Sequence, residues 1–474
     1  MFNAQISHFI RLEKMNQLKI AYFFLALIFT LTSCKSMPLL PENQITFDLT
    51  YNHDLDNNDN FSPDNQWLVY DTRTEEGGIA ISSKIEKVHI KTGEKKVLYA
   101  LKENTQWGPG VGAVSYSPID FSVVFIRGLM HSSKENPYQQ WRRTGVIIDE
   151  KNPNVPIYMD ARDVDFPFTL GALRGGTHRH EFSGDGNWIG FTYNDAIMQS
   201  LEAKTGKKHN LRTIGVAKKN HPVAVDSDIS HENNSGDWFS ALVVHVVSSP
   251  KPGSDEISQA LGDSWVGKNG YPLAEGGYQM ARSFIGTVND ANGKPVDEVF
   301  LVTIPKEINQ NGPLGPLEGT LDHMPFPPKG VTQKRLTFTS ETPYPGCTGI
   351  VRSDLMGQNL AFLAYDANGI RQVFTISPKG GKRQQITQHK NSVTSSLRWH
   401  PSGKSIFYVY EGRIVQCQLG SETFEKRMQY LTAKLHNEPT NIVLSHDGKT
   451  LAFNRKVMNS KNQETKQIFT ISLP

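Results

Sequence analysis

From residue 44 onward the chain runs as short stretches of alternating apolar and polar residues separated by turn formers, the period-two signature of strands. One unit recurs along it. It appears as Phe61-Ser-Pro-Asp-Asn-Gln-Trp67-Leu-Val-Tyr, Tyr116-Ser-Pro-Ile-Asp-Phe-Ser-Val-Val-Phe, Phe182-Ser-Gly-Asp-Gly-Asn-Trp188-Ile-Gly-Phe, Trp399-His-Pro-Ser-Gly-Lys-Ser-Ile-Phe-Tyr and Leu444-Ser-His-Asp-Gly-Lys-Thr-Leu-Ala-Phe. Weaker copies are Arg352-Ser-Asp-Leu-Met-Gly-Gln-Asn-Leu-Ala-Phe and Asn234-Ser-Gly-Asp-Trp-Phe-Ser-Ala-Leu. Each predicts a strand, a tight Asp-Gly type of turn and a second strand. Outer strands ending in Leu336-Thr337, Ile386-Thr387 and Leu431-Thr432 complete four strands per unit. Seven units of this kind predict an all-β, seven-bladed β-propeller of four-stranded antiparallel blades. The last unit stops after a third strand at 467–472, while Gln44-Ile45-Thr46 matches an outer strand with no blade before it. The N-terminal strand is therefore expected to pair with the C-terminal blade and close the propeller, which spans 44–474.

Three insertions interrupt the spacing. Residues 128–143 lengthen the connection between the second and third strands of blade 2. Residues 249–280 are placed in the same kind of connection of blade 4, with a short helix capped by Ser254, acidic at Asp255 and Glu256 and stopped by Gly262. Residues 306–330, rich in Pro and Gly, form a wandering loop before that blade's outer strand.

Ahead of the propeller, Lys14 and Lys19 precede an apolar run from Ile20 to Leu31 that ends at Leu31-Thr-Ser-Cys34. The run is too short for a comfortable membrane span of about 20 residues and reads as a signal peptide over 1–34, with either Met1 or Met15 as the start. Leu-Thr-Ser-Cys resembles a bacterial lipobox, which implies cleavage before Cys34, lipidation of its thiol and a tether over 35–43. The expected location is the periplasmic side of a bacterial envelope, at the outer membrane in a Gram-negative cell, with the membrane reached only through the anchor. Cys347 and Cys417 fall at different points of different units and are expected as free, buried thiols. Lys+Arg 50 against Asp+Glu 47 gives a formal charge of +3 with no basic block, so no nucleic-acid partner is expected. Nothing in the sequence calls for more than a monomer.

Propeller geometry gathers the connections into the inner strands, and those between second and third strands, on one face, with the Asp-Gly turns on the other. That sorting places His53, Trp107, Arg174, His178, His180, His231, Glu232, His389 and His436 at or near the loop-bearing face, where ligands are expected. His178 and His180 stand two apart on a strand, so both imidazoles are expected on one side, able to share an ion with a third ligand from His231, Glu232 or His53. The plainer alternative is that each ring hydrogen-bonds nearby backbone. Tyr138, Trp141, Trp265 and Tyr271 can stack on a sugar or peptide, or form small loop cores. Acyl-transfer and nucleotide chemistry are unsupported. Gly262-Asp-Ser264-Trp-Val-Gly267 lacks the nucleophile-elbow spacing, and Trp107-Gly-Pro-Gly-Val-Gly112 lacks the phosphate-loop Lys.

The repeat resembles that of TolB-like propellers. Leu173-Arg-Gly-Gly-Thr-His-Arg-His, Phe191-Thr-Tyr-Asn-Asp195, Pro252-Gly-Ser-Asp-Glu-Ile257, Trp265-Val-Gly267, Arg335-Leu-Thr-Phe-Thr339, Tyr344-Pro-Gly346 and Trp399-His-Pro-Ser-Gly403 carry a closer resemblance, to the YidR-like bacterial proteins, a family without an established activity. More distantly the chain is similar to oligogalacturonate lyases, propellers whose funnel holds a metal through His-x-His with further His and Gln ligands. That resemblance implies a divalent metal (Mn, Ca or Zn) at His178, His180 and His231. Arg174 would pair with a uronate carboxylate and a His such as His231 would take the proton. Gly175 stands where that pattern has Gln, and Arg174 equally suits a loop brace. Two functions follow: a binding module for a protein or glycan, using Arg174, His178, His180, His53 and Trp107, or a metal-dependent lyase acting on acidic saccharides.

Overall fold

Blade formation starts in the turn. Ser62 Oγ donates to Asp64 Oδ1 (2.5 Å) and accepts from Trp67 N (3.0 Å), while Asp64 Oδ1 accepts from Gln66 N (3.0 Å). The same three bonds recur at Ser183 with Asp185 and at Ser445 with Asp447. The side chains thus satisfy the backbone groups that a tight turn removes from the ladder. Gly186 (φ 68°) and Gly448 (φ 74°) supply the left-handed residue, and Asn65 (φ 60°) does so in the first copy.

The computed structural model describes residues 38–55, 59–74, 78–226, 232–420, 422–460 and 462–474. The expected signal peptide over 1–34, with Cys34, and His231 lie outside them. The fold is an all-β propeller of seven antiparallel blades. Blade 2 comprises Val111–Tyr116, Ser122–Gly128, Arg143–Asp149 and Ile157–Tyr158, from inside outward. Blade 3 comprises Gly175–Phe182, Trp188–Asp195, Thr213–Lys218 and Phe239–Leu242. Blade 4 comprises Ala260–Trp265, Ala281–Asn289, Pro295–Thr303 and Thr332–Arg335. Blades 5 and 6 begin at Cys347–Ser353 and Arg398–Trp399. In blade 1, three strands from Trp67 to Ala100 are flanked on the inner side by the single pairs Asp54 with Asp71 and Phe61 with Leu68. Blade 7 takes Thr440–Leu444, Thr450–Met458 and Glu464–Ser472, and Asn43–Gln44 is its outer strand, with Asn43 opposite Thr470 and Gln44 opposite Phe469. Apolar clusters fill the seams: Leu363 and Val373 of blade 5, for example, pack with Ile406, Tyr408 and Val415 of blade 6. Cys347 and Cys417 are free and buried.

Blade 4 departs from expectation. Phe239–Leu242, within the weakest repeat copy, is the outer strand of blade 3, and the inner strand of blade 4 is Ala260–Trp265. No helix follows Ser254. Its hydroxyl donates to Lys251 O (2.7 Å) in a turn, Ile257 and Ala260 are buried in the blade 3–4 seam, and Gly262 sits at a bulge (φ 64°) where a Cβ would meet Gly349 O. Tertiary burial and ladder pairing outweigh the cap signals. Residues 249–280 therefore do not form one connection: 249–259 lead into the inner strand, and 266–280 join it to the second strand, carrying the hairpin of Tyr271–Pro272 with Tyr278–Gln279. Residues 128–143 run between the second and third strands of blade 2, and residues 306–330 precede the outer strand of blade 4.

Candidate functional site

The inner strands of blades 2, 3, 4, 5 and 7 share a register shift, each with one left-handed residue: Ala113, Arg179, Gly262, Gly349 and Asn441. In blade 3 this bulge breaks the two-residue alternation. His178 lies opposite Thr192 and Glu181 opposite Gly190, with the shift between them. His178 and His180 consequently do not converge, contrary to the expectation from spacing. His178 Nδ1 lies 2.9 Å from Arg212 Nη2 and 3.3 Å from Thr192 Oγ1. His180 Nε2 meets Thr177 Oγ1 at 2.9 Å in the blade 2–3 seam, against Gly145 and Asp160.

Arg212 reaches His178 because the connection after Trp188–Asp195 is a helix, Ala196–Thr205, capped by Asp195 Oδ1 on Met198 N (2.9 Å) and ended by Gly206. Glu202 Oε2 then accepts from Asn210 N, and Asn210 Oδ1 from Asp195 N, turning the chain back into Thr213–Lys218. From blade 2, buried Arg143 comes in at the end of the 128–143 segment, its Nη1 on Tyr138 Oη (2.9 Å). Burial first, then Arg143, Arg212 and Arg179, hold the His178 imidazole far below its ordinary pKa. Burial and Arg143 push His180 down to about 3, and burial, Arg143 and Arg179 bring Arg212 to about 10. Sequence reasoning missed Arg143 and Arg212, since neither belongs to a motif.

The remaining sequence candidates are dispersed. Arg174 is fully buried on Phe168 and donates to Asp195 Oδ2 (3.0 Å) and to the carbonyls of Thr320 and His323, tying the 306–330 loop to blade 3. His53 is buried between Tyr51 and Tyr70, and burial lowers its pKa to about 4. Trp107 is half-buried, its carbonyl accepting from Tyr138 N. Glu232 pairs with Arg142 and Arg162. His389 stacks on Tyr410 in blade 6, and His436 is exposed.

At the other end of the same strand a second arginine cluster is met by carboxylates. Arg282 Nε donates to Asp263 Oδ2 (2.9 Å), and Glu181 accepts from Arg282 Nη2 (3.3 Å), Arg352 Nη1 (3.3 Å) and Trp265 N (3.2 Å). Arg282 occupies the space a Cβ at Gly190 would need. Beside it, a cavity of about 400 Å³ opens on the Asp-Gly turn side, lined among others by Asp59, Trp265, Arg398, Trp399 and His446.

A metal fits the loop-face residues poorly. Arginine cannot accept a hydrogen bond, so His178 Nδ1 is the acceptor and Nε2 carries the proton; the one lone pair of the neutral ring is taken. Among the described residues no three His, Cys, Asp or Glu side chains group as metal ligands.

Fold and site together define a β-propeller with two arginine clusters gathered against the inner strand of blade 3. The chain is 38% identical over 424 residues to the uncharacterized protein YidR of Escherichia coli (strain K12), a match covering 86% of this chain and 94% of that protein, and it belongs to the YidR family. Residues 110–234 also match a family described as a protein of unknown function (DUF3748). Among solved structures, an oligogalacturonate lyase from Vibrio parahaemolyticus is similar with TM-score 0.50 at 10% identity, over 92% of this chain and 94% of that one. An oligogalacturonate lyase in complex with manganese is similar with TM-score 0.49 at 10% identity, over 93% and 95%. These likenesses concern the fold.

Proposed function

We propose that this protein is a lipid-anchored binding module of the bacterial envelope, its propeller closed by the N-terminal strand, that engages a glycan or protein partner over the loop-bearing face around His178. The observation that carries the reading is the convergence of Arg143, Arg212 and His178 from two blades beside the aromatic 128–143 segment, on the face where propeller loops gather. Trp141→Ala is expected to weaken binding to envelope glycans at least tenfold by calorimetry without moving the melting temperature. Unchanged affinity would place the ligand elsewhere, the cavity beside Trp265 and Trp399 being the second location, favoured by its size and aromatic walls. Fatty-acid labelling that disappears in Cys34→Ser tests the anchor. The competing lyase reading, with Arg174 on a uronate carboxylate and His231 as base, needs a metal. Stoichiometric Mn, Ca or Zn in the purified protein, lost in His178→Asn, would overturn the binding-only view.

A further inference from the structure

Among the described residues, the loop-face cluster carries charge that no carboxylate neutralises. Arg143 is 4% exposed, and its hydrogen bond goes to a neutral phenol. Arg212 donates to a neutral imidazole and, at 3.0 Å, to the Thr192 hydroxyl. Among the described residues neither has a carboxylate within ion-pairing distance, and the Nε of each is buried without an acceptor. The carboxylate that acts on Arg212 from farther off, Asp263, is already bound to Arg282. Burying like charges side by side costs stability that an architectural role does not require, because an uncharged side chain of similar volume would fill the same space.

We propose that Arg143 and Arg212 form the receptor for an oxyanion, a carboxylate or sulfate carried by the ligand of this face, with neutral His178 offering its Nε2–H as an uncharged donor. This deepens the binding reading above and rests on it. A guanidinium presents a planar fork of donors matched to two oxygens of one anion, and shielding from water strengthens the pairing. The ligand then supplies the counter-charge that the described residues lack.

The test is thermal unfolding of the purified protein at constant ionic strength with glucuronate, glucose 6-sulfate or glucose. Glucuronate or the sulfate, whichever oxyanion is the natural one, is expected to raise the melting temperature saturably, and glucose to leave it unchanged. Arg143→Met and Arg212→Met are each expected to melt higher than the parent without ligand, since a repulsive charge is gone, and to lose the ligand-induced rise. Should Arg143→Met fail to fold, Arg212→Gln, which keeps a donor towards His178, makes the same comparison. Variants that melt lower yet keep the full response would overturn the proposal and leave these arginines as braces. So would no response to either acid, or an equal response to glucose. In those cases the binding reading still stands or falls on Trp141→Ala, which leaves the charge of the face untouched.

Discussion

Two arginine clusters hang on one strand of blade 3, and they differ in who neutralises them. Around Glu181 the guanidinium groups of Arg282 and Arg352 are met by carboxylates of the chain, Asp263 and Glu181 itself. Around His178, three residues earlier, Arg143 and Arg212 are met by a phenol, a hydroxyl and an imidazole. The first arrangement has its counter-charges within the chain and so belongs to the architecture. The second has no counter-charge among the described residues, which is the ground on which it is proposed as the ligand-binding end.

Substitutions can break that contrast. The largest loss is expected for Asp263→Ala, which leaves Arg282 buried without its nearest counter-charge: about 3–5 kcal/mol, read from urea unfolding. Gly190→Ala comes next. Its new methyl group would lie where the Arg282 guanidinium sits, and a cost of about 1–3 kcal/mol is expected by the same measurement. A comparable loss in Arg212→Met would erase the distinction between the clusters. The third effect is a pH slope in the seam beside His180. Burial raises the Asp160 carboxyl from 3.8 to about 7, so between those values the folded chain holds a proton that the unfolded chain has released. The contribution of this group to stability is full below pH 3.8 and is lost as pH rises through about 7. Asp160→Asn keeps the oxygen that accepts from Gly145 N and is expected to flatten the change in melting temperature between pH 5 and pH 8.

What the sequence made legible is what is bonded locally. Ser183, Asp185 and Trp188 complete their turn within six residues, so the repeat announces both the hairpin and the blade count. The inner strand of blade 4 was not legible, because its register is set by pairing with Ala281–Asn289 and by the Ser264 hydroxyl on Val351 O, while the residues around it spell a helix cap. The site was half legible. His178 stands out in the sequence, but its partner Arg212 is 34 positions away across a helix that the reading did not anticipate. The bulge that turns His180 elsewhere is marked by glycine in blades 4 and 5, whereas in blade 3 an arginine hides it.

The first residues of the propeller are fastened to its last strands at many points. Glu42 grips Arg455 with both oxygens, Ile45 N bonds Ile468 O, Asn52 and His53 take up the backbone of Lys466, and Asp54 holds its ammonium. Tension applied at the amino end therefore meets Leu431, beside the outer strand of blade 6, through Leu40 N and is then shared as shear along the edge of blade 7. Blade 7 is the mooring cleat of this molecule.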